Sequence, residues 1–155
     1  MSLPALSIVR TRTVATKLFG QLEIEPHQIL RTKHGVLGFP ACREWVLLDG
    51  ARSGTAWLQS LEHGTLAFLL VDPFTAVEGY AVDLATRELE QLGASEASEI
   101  AVFAIVTLPL AEDEAPTANL AAPIVVDVRG QRAAQLIISD GRWSVKAPLG
   151  VGALD

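Results

Sequence analysis

Six apolar residues in succession at 66–71, closed by Asp72 and Pro73, most tightly limit what this chain can fold into. The run is too short for a helix by itself and has the length of a strand buried on both faces. Pro73 ends it, because proline has no N–H to give to a sheet ladder. Similar short runs, bounded by Gly, Pro, Asp or Ser, recur through most of the sequence. Residues 9–19 are rich in Thr and Val and read as a strand that pairs with 21–24 after a turn at Gly20. Residues 44–48 and 56–61 flank the turn-rich stretch 49–54, and 100–108 reads as a further strand. At 124–128 the residues Ile124, Val126 and Val128 alternate onto one face, Arg129-Gly130 turns the chain, and 133–139 continues it. Asp140-Gly141 is a two-residue hairpin signal, since both central positions of that turn favour positive φ. Segment 142–146 is then expected to close the hairpin with Trp143 and Val145 on one face. One helix is expected, at 83–92, with Asp83 as its cap, Ala85, Leu89 and Leu92 on one stripe, and Gly93 at its stop. About eight short strands and one helix predict a mainly β fold, either a compact β-barrel-like single domain or a curved sandwich.

Half of the 155 residues are apolar and 19% are charged, so one domain can fill its core without a metal or disulfide. The single cysteine, Cys42, excludes an internal disulfide framework and a Cys-based zinc site, which suits a reducing cytoplasm. No signal peptide is evident, and the longest apolar stretch, 100–110, contains Thr107 and Pro109 and is too short to span a bilayer. Twelve basic residues against eighteen acidic give a net charge of −6. Such a chain repels phosphates, which argues against direct nucleic-acid binding and favours a basic protein partner.

Catalytic and metal-binding patterns do not emerge. His27, His34 and His63 lack metal-ligand spacing. Ser53 misses the nucleophile-elbow pattern by one position, with no helix after it. Gly35 to Gly38 has the Gly-x-x-Gly form of an RNA-clamping loop but no flanking helices, and reads as a turn between strands. Gly150-Val151-Gly152 lacks the helix of a phosphate loop. Glu112-Asp113-Glu114 reads as a solvated loop. No catalytic residue, metal or cofactor is expected.

What generic packing does not require is the set of polar residues held among apolar ones: Gln59, Asp72 and Asn119. Trp57, Gln59 and Leu61 should share one strand face, with Leu58 and Ser60 on the other. Trp57 is either a partner anchor or a core residue. Gln59 either satisfies backbone groups or faces a partner. Asp72 reads as fixing the turn before Pro73 through local amides, Phe74 as a protruding strand-end aromatic, and Asn119 as organising 117–123 through its amide. Trp45 and Trp143 are assigned to the core. The candidate partner-binding residues are therefore Trp57, Gln59, Asp72, Phe74 and Asn119.

Several of these segments, in order, carry a resemblance. They are Phe19-Gly20 with Ile24, Gly35 to Gly38-Phe39, Trp57-Leu58-Gln59-Ser60, Leu66-Ala67-Phe68 and Val71-Asp72-Pro73-Phe74. They continue with Ile105-Val106-Thr107, Thr117-Ala118-Asn119-Leu120, Ala122-Pro123-Ile124 and Gln135-Leu136-Ile137. Together they resemble the bacterial flagellar assembly factor FliW family across most of the chain. Two departures fall in the 31–39 loop: Thr32 or Lys33 stands where the family tends to have an aromatic residue, and Leu37 where proline is common. The resemblance implies a compact β-barrel-like body and a non-enzymatic, cytoplasmic, monomeric protein. It further implies two partners, the RNA-binding translational regulator CsrA and flagellin, which compete, so that flagellin export frees the factor to capture the regulator. The alternative left open by the residues is a small-molecule-binding β-barrel, or degenerate enzyme, lined by Trp57, Gln59 and Asn119. A third reading, RNA binding through Arg10, Arg12, Lys17 and Arg31, requires those cations to cluster.

Overall fold

The computed structural model describes residues 10–84, 88, 92–93, 100–139 and 141–150. Its strands are β1 (Arg12–Thr16), β2 (Gly20–Ile24), β3 (Ile29–Thr32), β4 (Glu44–Asp49), β5 (Thr55–Ser60), β6 (Ala67–Val71), β7 (Ile100–Thr107), β8 (Thr117–Asp127), β9 (Arg132–Gln135) and β10 (Ala147–Pro148). A single helical turn, α1 (Pro73–Ala76), follows β6. The expected mainly β, barrel-like fold is present. The helix expected at 83–92 lies for the most part outside the described residues.

The eight-stranded sheet runs β10-β8-β7-β6-β5-β4-β3-β9, and a further pairing of β8 with β9 closes it into a ring. Neighbours in the ring are antiparallel except β3 and β9, which pair in parallel through Arg31 with Arg132 and Thr32 with Ala133. Closure removes the exposed edges that an open sheet of this size would present. Leu30, Trp45, Leu58, Leu70, Ile124, Val126 and Ala133 fill the interior. Trp45 is fully buried, as its core assignment requires. Its indole Nε1 reaches the Thr32 hydroxyl and the Cys42 carbonyl, both at 3.2 Å.

Two further apolar layers coat the outside of the ring. The β1–β2 hairpin, turned by Gly20 at φ +66°, covers one side with Val14 and Ile24 against Ile29, Val46 and Leu61. Gly64 lets the hairpin settle, because a Cβ there would collide with the Ala15 carbonyl. On the other side, Val71, Ala104, Val106, Ala118 and Leu120 pack under Tyr80 and Leu149, with Trp143 half-buried against them.

Strand β8 serves both the interior and this outer layer because of a bulge. Between the pairs Phe103–Ile124 and Ile105–Asn119, β7 advances two residues and β8 five. An odd number of extra residues reverses the face that a strand presents. Ala118 and Leu120 therefore point into the outer layer while Ile124 and Val126, of the same parity, point inside. The buried Pro123 sits in the bulge, where no ladder N–H is demanded of it.

The chain does not form the C-terminal hairpin that its sequence predicts. Segment 142–146 forms no strand and does not fold back on 133–139. The Leu136 and Ile138 amides donate to Pro123 and Ala121, the Leu120 amide donates to the Ser144 carbonyl, and β10 then pairs with Thr117 and Ala118. The chain thus leaves the edge of β8 after Ile138 and rejoins the same edge in the same direction. Gly141 has the positive φ its turn role needs, +77°; Asp140 lies outside the described residues. Hydrogen-bonding demand along the eleven-residue β8 outweighs the local hairpin signal.

Candidate partner-binding surface

The corner after β6 is built by Asp72. Its extended backbone places it as the cap of α1, its Oδ1 accepts the Phe74 amide at 2.9 Å, and its own amide donates to the Gly54 carbonyl at 2.7 Å. Pro73 occupies the first helical position, where a missing N–H is harmless. The Thr75 hydroxyl returns to the Asp72 carbonyl at 3.2 Å. Three restraints in four residues hold Phe74 at the tip of the corner, where it remains 49% exposed.

Phe74 begins a row of aromatic rings. It meets Tyr80 at 5.5 Å between centroids, Tyr80 meets Trp143 at 4.7 Å, and the Arg142 guanidinium lies 5.4 Å from the Trp143 centroid. The Tyr80 hydroxyl donates to the Leu120 carbonyl at 2.9 Å. Burial pushes the Tyr80 phenol up to about 12, since charge there would be desolvated. On its other side Phe74 borders an open concavity of about 420 Å³ at the mouth of the barrel, with Leu47, Ala101 and Phe103 lining it and Asp49 and Asp72 on its margin. An apolar floor with an acidic margin suits an apolar segment flanked by Lys or Arg.

The other candidates fall elsewhere. Gln59 has no exposed surface. Its Nε2 faces the carbonyls of Ser60, Leu66 and Gly64 at 2.9, 3.1 and 3.3 Å, while Oε1 has no protein partner. Trp57 is half-buried, edge-on to Phe19 at 5.7 Å. Asn119 sits at the β8 bulge, where its Oδ1 accepts the amides of Ala121 and Ala122 at 3.2 and 3.0 Å. Trp57 and Gln59 thus belong to β5, and Asn119 lies three strands away in the order of the sheet. Asp72, Phe74 and Asn119 are linked through Tyr80, whose acceptor, Leu120, follows Asn119. Sequence reasoning missed Tyr80, for which no local pattern gave a signal.

In the 31–39 loop, Gly35 and Gly38 take positive φ, and the Phe39 amide donates to Val36 at 2.7 Å, making the expected turn. Leu37, standing where proline is common in the family, uses its N–H to donate to Gln135 Oε1 at 2.8 Å. Of the cations weighed for RNA, Arg12 and Arg31 meet on Glu44, at 2.7 and 3.4 Å. No helix among the described residues is long and apolar enough to cross a membrane.

Fold and surface together define a small closed β-barrel with an apolar, acid-margined mouth and an aromatic residue at its lip. The family model described as FliW protein matches residues 13–149. The chain is 34% identical to the flagellar assembly factor FliW of Treponema denticola, over 86% of this chain and 90% of that one. It is equally 34% identical to the FliW of Moorella thermoacetica, over 88% of this chain and 87% of that one. A crystal structure of the flagellar assembly factor FliW superposes with a TM-score of 0.80 at 33% identity, covering 88% of this chain and 96% of the other. The chain belongs to the flagellar assembly factor FliW family.

Proposed function

We propose that this chain is a non-enzymatic flagellar assembly factor that binds a CsrA-type translational regulator and, in competition with it, flagellin. Family membership supports the class of function, and the Phe74 corner with the barrel mouth beside it is the contact surface that best fits it. The observation that carries this reading is an aromatic side chain left half-exposed by a corner that fixes its backbone, beside an apolar hollow margined by Asp49 and Asp72. Such pre-organised aromatics make binding hot spots. A regulator that grips RNA must itself be basic, and a net charge of −6 raises its rate of encounter. Competition then needs no catalytic group: a rival ligand at 100 times its dissociation constant weakens the other about 100-fold.

Within this reading Asp72 positions Phe74, while Trp57, Gln59 and Asn119 hold the framework. The experiment is calorimetry of the purified chain with regulator and with flagellin from the same organism, each repeated with the other present. Mutual displacement supports the switch, and loss of both signals in Phe74→Ala supports the surface. Binding of flagellin alone reduces the role to a dedicated chaperone. Absence of binding by either at about 50 µM, roughly −6 kcal/mol, removes the proposal.

A further inference from the structure

On the flank of the barrel opposite in chemistry to its mouth, the parallel seam brings two arginines together. Arg31 of β3 and Arg132 of β9 are direct cross-strand partners, both exposed on the outer face, while Thr32 and Ala133 behind them point inward. Like charges placed directly opposite destabilise a strand pair. Lys33 and His34 follow directly after β3 ends at Thr32. Arg31, Arg132, Lys33 and His34 line a concavity of about 230 Å³ together with Gln135 and, among the described residues, one carboxylate, Glu88. In a chain with only 12 Lys and Arg against 18 acidic residues, this is a local reversal of sign.

The concavity is built rather than incidental. Gln135 is held on both ends of its amide, accepting from Leu37 N at 2.8 Å and donating to the Ala122 carbonyl at 3.0 Å. Gly93, at φ +86°, leaves the space that the Arg132 guanidinium occupies; a Cβ there would overlap it. Arg31 is partly compensated by Glu44 at 3.4 Å. Arg132 and Lys33 have no comparable ion pair among the described residues.

We infer that this seam is an anion site, and that its ligand is a small phosphate monoester or a diphosphate. With Arg31, Arg132, Lys33 and one carboxylate, Glu88, in its lining, the concavity keeps a positive excess that favours a dianion over a monocarboxylate. A guanidinium fork beside an ammonium matches phosphate oxygens, and concave walls focus the positive field on them. The volume is below the roughly 300–1,000 Å³ of sites for drug-sized ligands, so it admits the phosphate and a small substituent. Binding there would relieve the Arg31–Arg132 repulsion at the strand pair that closes the ring. This goes beyond the protein-partner role and is independent of it.

The test is thermal unfolding and calorimetry of the full chain with inorganic phosphate, pyrophosphate and glycerol phosphate, each against sodium chloride at matched ionic strength. Expected are a saturable rise in Tm absent with chloride, and a loss of affinity of about tenfold or more in Arg132→Gln and in Lys33→Gln. Lys146→Gln serves as a control outside the seam and should bind as the parent does. Without ligand, Arg132→Gln should melt no lower than the parent, since it removes a like-charge pair. Lys33 is not paired in the ladder, so its variant reports binding even if Arg132→Gln folds poorly. A phosphate effect equalled by chloride, or retained in both variants, overturns the inference. So does binding of a short single-stranded RNA where none of the three phosphate probes binds, which would make the seam a nucleic-acid surface. Response to glycerol phosphate rather than free phosphate identifies the ester as the ligand class.

Discussion

Tyr80 and Leu120 are joined by a hydrogen bond of 2.9 Å that crosses 40 positions of sequence. The donor is the phenol in the middle of the aromatic row, and the acceptor is the carbonyl one residue past Asn119, at the start of the β8 bulge. Whatever moves the barrel lip is thereby connected to the place where β8 changes faces.

Ionisation of Tyr80 should register as alkaline unfolding. Its folded pKa is about 12 against 10.0 for the free side chain, so the unfolded chain releases this proton first. The contribution to stability is complete below pH 10 and is lost as pH rises towards 12. Denaturant midpoints measured from pH 9 to 12 should fall, and fall less in Tyr80→Phe. The chain has one tyrosine, so phenolate absorbance reads Tyr80 alone.

Substitution of Gln59 separates polarity from volume. Gln59→Ala leaves a buried void beside three carbonyls and should lower stability by about 2–4 kcal/mol. Gln59→Glu fills the volume but sets a carboxyl against those same carbonyls, and is expected to unfold at lower urea than Gln59→Ala. The opposite order in urea titrations would mean that the amide N–H groups are not what the site requires.

Asn119 acts only as an acceptor towards Ala121 and Ala122. Asn119→Ala should therefore lose about 1–3 kcal/mol, whereas Asn119→Asp, which keeps the acceptor, should melt within a few degrees of the parent. Hydrogen exchange at the Ala121 and Ala122 amides should rise in the first variant and stay slow in the second.

Phe74 and Trp57 should part company. Phe74→Ala removes a half-exposed ring and is expected to leave Tm within about 3 °C, a change on the order of 1 kcal/mol for a chain of this size. Its affinity for protein partners should fall about tenfold or more. Trp57→Ala opens a gap beneath Phe19 and should lower Tm more while changing affinity less. Paired melting and calorimetry on both variants distinguish the roles.

Sequence reading reached the barrel because strand signals here are local. The run at 66–71, the turn at Gly20 and the alternation past Ile124 each depend on neighbours within a few residues. It failed where a distant strand decided the outcome. Asp140-Gly141 favours a hairpin, yet the unpaired edge of β8 captures 136–138 and then Ser144. The two candidate roles for Gln59 could be resolved only by knowing that the β1–β2 hairpin settles on the 61–64 turn, whose Gly64 carbonyl Gln59 reaches. Tyr80 was invisible for the same reason, since its value comes from Leu120 and Trp143, both remote in the chain. The Asp72 cap was legible because its acceptor and donor are two residues apart.

The parallel seam also has a bearing on synthesis. Gln131 reaches back 102 residues to the Ile29 carbonyl, and Arg132 and Ala133 supply the last ladder of the ring. Until those residues clear the ribosome, β3 has one unpaired edge, and Leu30, Trp45 and Leu58 lack the Ile124, Val126 and Ala133 that finally cover them. Contacts of such span form late. The nascent chain is thus committed to a long interval as an open, sticky half-sheet, and slow elongation or premature termination upstream of residue 131 would present the cell with an aggregation-prone fragment rather than a partly working factor.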